Sequence, residues 1–165
     1  MGKAIVSIVP TGPTGPTGKD AAPATADAPV ILYDGVCGLC NRLNRFVLAR
    51  DPAGRFRFAA LQSALAAEIL ARHGRDPRDL DTLYLVLSPG RTEERLLRKS
   101  DAILGILREL GGAWRMAGAL RVAPRALRDL GYDVVARTRY RLFGRYDACP
   151  IPDPRYRARF LDHSG

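Results

Sequence analysis

The stretch "VILYDGVCGLCN", residues 30–41, decides the fold. Residues 30–33 form a short unbroken apolar run rich in strand formers, the pattern of a strand buried on both faces. Asp34 and Gly35 follow as a sharp turn. A helix is predicted from Cys37 or Gly38 to Arg50, with Leu39, Leu43, Phe46 and Val47 on one face at helical spacing. Asp51, Pro52 and Gly54 end it. Two cysteines three positions apart thus stand where a buried strand hands over to a helix.

Downstream, "RFRFAAL" (55–61) alternates and predicts a second strand. Ser63 can cap a helix running to His73, with Leu65, Ile69 and Leu70 inward and Gly74 as its stop. "TLYLVL" (82–87) is the clearest strand signal in the chain. The turn "SPG" (88–90) and "RTEERLLRK" (91–99) make a hairpin of it. Ser100 or Asp101 then caps a helix from Ala102 to Leu110, closed by Gly111 and Gly112. The order β-α-β-α-β-β-α is an α/β plan with a mixed sheet and helices on its faces, the thioredoxin plan. Residues 29–112 are expected to form this redox domain. Residues 113–165 read as a helical extension broken at Pro124. Its Trp114, Leu120, Leu127, Leu130, Val134, Val135, Tyr140 and Phe143 are expected to pack on the sheet or on one another, extending the core.

A cysteine at a helix N-terminus sits beside unpaired N–H groups and the positive end of the helix dipole. Both favour the thiolate, the nucleophile of disulfide exchange. The CxxC spacing puts a second sulfur within reach, so Cys37 is expected to attack a substrate disulfide and Cys40 to resolve the mixed disulfide. Asp34 either ties down the turn by accepting backbone N–H bonds or shuttles a proton, and Arg42 is a neighbouring source of positive potential. Two other readings stand beside exchange. One CxxC is half of a tetrahedral zinc site, for which Cys149, His73 and His163 are the remaining donors. The pair can also simply pack. Cys149 is either a third thiol that pairs with Cys37 or Cys40, or a buried cysteine where the C-terminal segment docks.

"YDGVCGLCN" (33–41) resembles the signature of the DCC-type thiol-disulfide oxidoreductases, named for the aspartate and two cysteines seen here as Asp34, Cys37 and Cys40. "RDPAGRFRFAALQS" (50–63), "KSDAILGILRELGGAW" (99–114), "YDVVARTRYRLFGR" (132–145) and "CPIP" (149–152) are similar to later blocks of that family, so the resemblance covers residues 30–161. It implies a thioredoxin-like fold and protein-disulfide oxidoreductase activity, as reductase or oxidant, with Cys37 and Cys40 catalytic and Asp34, Gly35, Asn41 and Arg42 supporting them. Two thioredoxin features differ. Leu80-Asp81 stands where thioredoxins place a proline before the hairpin, and Val36 and Gly38-Leu39 replace the Trp and Gly-Pro around the cysteines.

Of the 26 basic residues in this 165-residue chain, 23 are Arg, and the net charge is +9. The excess concentrates in residues 113–165, with 11 Arg against 5 Asp. Such a face can meet nucleic acid, anionic lipid or an acidic protein, or be a solvated helical surface. In "RTRYRLFGRY" (137–146) the aromatics at helical spacing read as core, so nucleic acid is not the expected partner. No apolar run reaches the roughly 18 residues of a membrane span. A cytoplasmic, bacterial protein is expected, one that needs no cofactor and no metal because a dithiol carries two electrons. Its partners are then a disulfide-bearing protein or small thiol and an external electron donor. Residues 1–28, Pro/Gly/Thr/Ala-rich beyond a short apolar patch, are expected to be a disordered leader. The alternative is a non-catalytic thioredoxin-like interaction module with a structural or zinc-binding CxxC and an Arg-rich docking face.

Overall fold

The computed structural model describes residues 27–149 and 153–162. The leader up to residue 26, Pro150–Pro152 of the "CPIP" block and His163 lie outside the described residues. Strand β1 (Val30–Tyr33) is buried along its whole length. It lies between β2 (Arg57–Ala60), to which it is parallel, and β3 (Tyr84–Leu87), to which it is antiparallel. Strand β4 (Arg95–Arg98) completes the hairpin with β3, giving the order β2-β1-β3-β4. Strand alternation divides the core in two. Ile31, Tyr33, Phe58 and Leu85 face α1 (Gly38–Arg50) and α3 (Lys99–Leu110), meeting Val47, Ala102 and Ile106. Val30, Leu32, Ala59, Tyr84 and Val86 face α2 (Ala64–Arg72), meeting Ala66, Ile69 and Leu70. This is a mixed α/β sheet with helices on both faces, as a thioredoxin-like plan requires.

The local signals act as expected at α2, where Ser63 Oγ accepts from the Ala66 N–H at 3.2 Å and Gly74 turns the chain out at φ 62°. Helix α3 begins earlier than expected, at Lys99, and Arg98 precedes it without a side-chain cap. Ser100 and Asp101 are instead engaged by the last long helix, α4 (Arg125–Phe143): Ser100 Oγ bonds Asp129, and Asp101 pairs with Arg128 at 2.9 Å and Arg125 at 3.2 Å.

The expectation for the extension is corrected. Beyond a 3-10 segment (Gly112–Val122) and α4, most of the apolar residues do not extend the core: Leu127, Leu130, Val134 and Val135 are exposed, as is Leu120. Both sheet faces are already covered by α1, α3 and α2. Helix α4 therefore turns its polar side inward. Asp133 takes Lys99 Nζ at 2.7 Å, the Tyr132 hydroxyl accepts from the Leu83 N–H at 2.7 Å, and Arg139 is buried. Trp114 meets the ring of Phe46 edge-on at 5.0 Å, while Tyr140 and Phe143 are half-buried. Phe160, which nothing in the local sequence marks, stacks on Phe58 at 4.9 Å and ties the C-terminal segment to the first core.

Candidate active site

At the end of β1 the Asp34 carboxylate closes the turn, its Oδ1 accepting from the Val36 N–H at 3.2 Å and from Gln62 Nε2 at 2.9 Å. Gln62 Oε1 in turn accepts from the Gly35 N–H at 3.2 Å. Asn41 clamps the far side of the turn, its Nδ2 donating to the carbonyls of Gly35 and Cys37 at 2.9 and 3.0 Å. Asp34 Oδ1 thus accepts two of the bonds that close the turn.

Cys37 is the N-cap of α1, and its Sγ accepts from the Cys40 N–H at 3.4 Å. Its pKa is lowered to about 6. The main cause is a hydrogen bond from the Cys40 side chain, opposed by burial and aided by the Cys40 N–H, the Arg139 charge and the Leu39 N–H. Cys40 shifts the opposite way, held protonated by its bond to Cys37, by burial and by the charge of Cys37. The two thiols are therefore split into an acidic and a reluctant member.

The cation beside the pair is Arg139, not Arg42. Arg42 stacks over the Phe143 ring at 5.3 Å. Arg139 is 3% exposed and holds Asp34 at 3.1 Å and Asp81 at 3.0 Å. It also donates to the carbonyls of Leu80 and Asp81, at 3.1 and 3.2 Å. The Tyr140 hydroxyl bonds the same Asp34 oxygen. Among the described residues Arg139 Nε has no partner, so one guanidinium donor stays uncommitted. Neither Arg139 nor Tyr140 was legible as a site residue, since nothing local separates Arg139 from Arg137 or Arg141. Leu80-Asp81, at the proline position of thioredoxins, is anchored by this guanidinium, and no peptide bond among the described residues is cis.

A strap lies over Cys37, which is 0% exposed. Gly38 N–H donates to Gly144 O at 3.1 Å and Tyr146 N–H to Val36 O at 2.8 Å, with Cys37 paired to Arg145 between them. Cys40 is half-buried and lines an apolar cavity of about 430 Å³ with Leu39, Leu43, Leu83, Ile103 and Val135. Cys149 is placed on the other side of the turn. Its Sγ is 3.7 Å from the Tyr33 hydroxyl and would lie 2.8 Å from a Cβ on Gly35, which accounts for glycine there. Among the described residues no three His, Cys, Asp or Glu side chains stand together as metal donors. His73 instead pairs with Glu94 at 2.8 Å.

A family model described as DCC1-like thiol-disulfide oxidoreductase matches residues 31–145, which span the turn, both cysteines and Arg139. A Bacillus subtilis (strain 168) protein named "Uncharacterized protein YuxK" is 35% identical over 132 residues, covering 80% of this chain and 93% of that one. "DCC family protein At1g52590, chloroplastic" of Arabidopsis thaliana is 39% identical over 124 residues, covering 74% of this chain and 69% of that one. No solved structure matches. With its dithiol, turn and C-terminal helix all inside the matched span, the chain belongs to the DCC1-like thiol-disulfide oxidoreductase family.

Proposed function

We propose that the protein is a protein-disulfide reductase working through Cys37 and Cys40. The Cys37 thiolate attacks one sulfur of a substrate disulfide, forming a mixed disulfide as the substrate S–S bond breaks and its other sulfur leaves as a thiolate. Cys40 then loses its proton and attacks Cys37. The second substrate sulfur is released and protonated, leaving a Cys37–Cys40 disulfide. An external dithiol returns the two electrons. The observation carrying this reading is the opposed environment of the two sulfurs: Cys37 accepts hydrogen bonds at the start of α1, while Cys40 is kept protonated.

Asp34, Gly35 and Asn41 act by fixing the turn, and Arg139 by holding positive charge beside the thiolate. Substrates are disulfide-bearing proteins or small disulfides. A cytoplasmic setting belongs to the same reading. A thiol pKa of about 6 stabilises the reduced form.

Titration in glutathione buffers, read by alkylation and mass, tests the reading. A single two-electron transition is expected, with both thiols changing together, and Cys40→Ser should accumulate mixed disulfides that Cys37→Ser does not. Thiols that alkylate only on unfolding, or only after a chelator is added, would replace it with the packed or zinc-bound pair of an interaction module.

A further inference from the structure

Nine of the eleven large apolar side chains that are exposed in the described structure lie in residues 114–142. Seven of them, Met116, Leu120, Val122, Leu127, Leu130, Val134 and Leu142, are 56–90% exposed. On α4 they follow helical spacing: Leu127, Leu130 and Val134 form one stripe, flanked by Gly131 and Thr138. The opposite side of the helix carries the groups bound to the domain, Asp129, Tyr132, Asp133 and Arg139. The helix is amphipathic with its apolar side outward, and the 3-10 segment carries four more exposed apolar side chains. Leu120 and Val135, one from each element, also line the cavity that contains Cys40. Exposed apolar surface of this extent marks a contact with something.

The charge says with what. Arg115, Arg121, Arg137 and Arg141 are exposed and form no ion pair among the described residues. The only carboxylates in residues 113–146 are Asp129 and Asp133, and both are half-buried and paired inward. A second copy of the chain suits the face poorly, because two-fold pairing would bring both copies' arginines together with no carboxylate to meet them. The apolar side chains stand out from the surface, which suits insertion among lipid chains with arginines at the headgroups.

We propose that this face, the 3-10 segment together with the outer side of α4, docks the protein on an anionic bilayer surface. No helix among the described residues is long and apolar enough to cross a membrane, and the contact is peripheral. Docking turns the mouth of the Cys40 cavity toward the lipid. The inference does not depend on the redox chemistry.

Sedimentation of the full reduced chain with vesicles tests it, using phosphatidylcholine alone and phosphatidylcholine with about 30% phosphatidylglycerol, which gives an anionic surface. Binding to the anionic vesicles only is expected. It should fall about fivefold for each arginine removed in Arg137→Gln and Arg141→Gln, and weaken with added salt. The double variant Leu130→Asp/Val134→Asp, at exposed positions, should lose binding while keeping the circular dichroism and melting of the parent. Failure to bind anionic vesicles would overturn the proposal. So would undiminished binding by the aspartate variant, which would show charge attraction alone. Sedimentation as a dimer that the same variant dissociates, without vesicle binding, would assign the face to a second copy.

Discussion

Arg139 connects the chemistry of Cys37 to the far end of the chain. Its guanidinium is withdrawn from water and is matched by Asp34 on one side and Asp81 on the other. Removing one partner of such a buried pair leaves the other uncompensated, at a cost of about 3–5 kcal/mol. Arg139→Gln should therefore lower stability, and it should also raise the pH midpoint of Cys37 alkylation from about 6 toward the usual thiol range. Arg139→Lys restores charge without the planar fork, so the midpoint should return part of the way while stability stays reduced. An unchanged midpoint in Arg139→Gln would assign the acidity of Cys37 to the helix start and Cys40 alone. Melting curves and iodoacetamide kinetics at several pH values separate the two effects.

The strap over Cys37 depends on an element-to-element contact that admits no side chain. A Cβ on Gly38 would fall 2.1 Å from the Phe143 carbonyl oxygen, a backbone atom that cannot rotate aside. Gly38→Ala should cost about 1–3 kcal/mol through overpacking, despite the better helix propensity of alanine. It should also speed Cys37 alkylation by pushing the strap away. Gly131→Ala, on the open side of α4 with nothing within 4 Å of its Cβ, should instead gain about 0.5–1 kcal/mol. Elements such as α2 were legible because their signals are local: Ser63 caps and Gly74 stops within a few residues of the helix they control. The periodicity of α4 marked a helix with an apolar side but not which side meets the domain. That was settled by Lys99, Asp34 and Leu83, which offer polar partners to a helix distant in sequence. The same holds for Phe160, whose site on Phe58 is formed by a strand 102 positions earlier. The turn and dithiol were readable from one short stretch; the cation that serves them was not.

For the molecule as a whole, the acidity of Cys37 makes the stability of the reduced form depend on pH. A thiol whose pKa is lower folded than unfolded stabilises the fold fully above the unfolded value of about 8.5, and loses that contribution as pH falls through about 6. The urea midpoint of the reduced protein should accordingly rise between pH 6 and pH 8.5 relative to Cys37→Ser, and the two should converge below pH 6. A constant difference across that range would mean that the thiolate is no better placed folded than unfolded. The bond from Arg139 to Asp34 spans 105 residues, and this bears on how the protein is made. At about 5–20 residues per second, a ribosome delivers Arg139 roughly 5–20 s after the segment that carries Asp34 and the two cysteines. Through that interval the unfinished chain has neither its buried cation nor its strap, so any acidity of Cys37 rests on the start of α1 and on Cys40 alone. The thiolate thus gains the last of its stabilising charge, and its cover, only once α4 has been made.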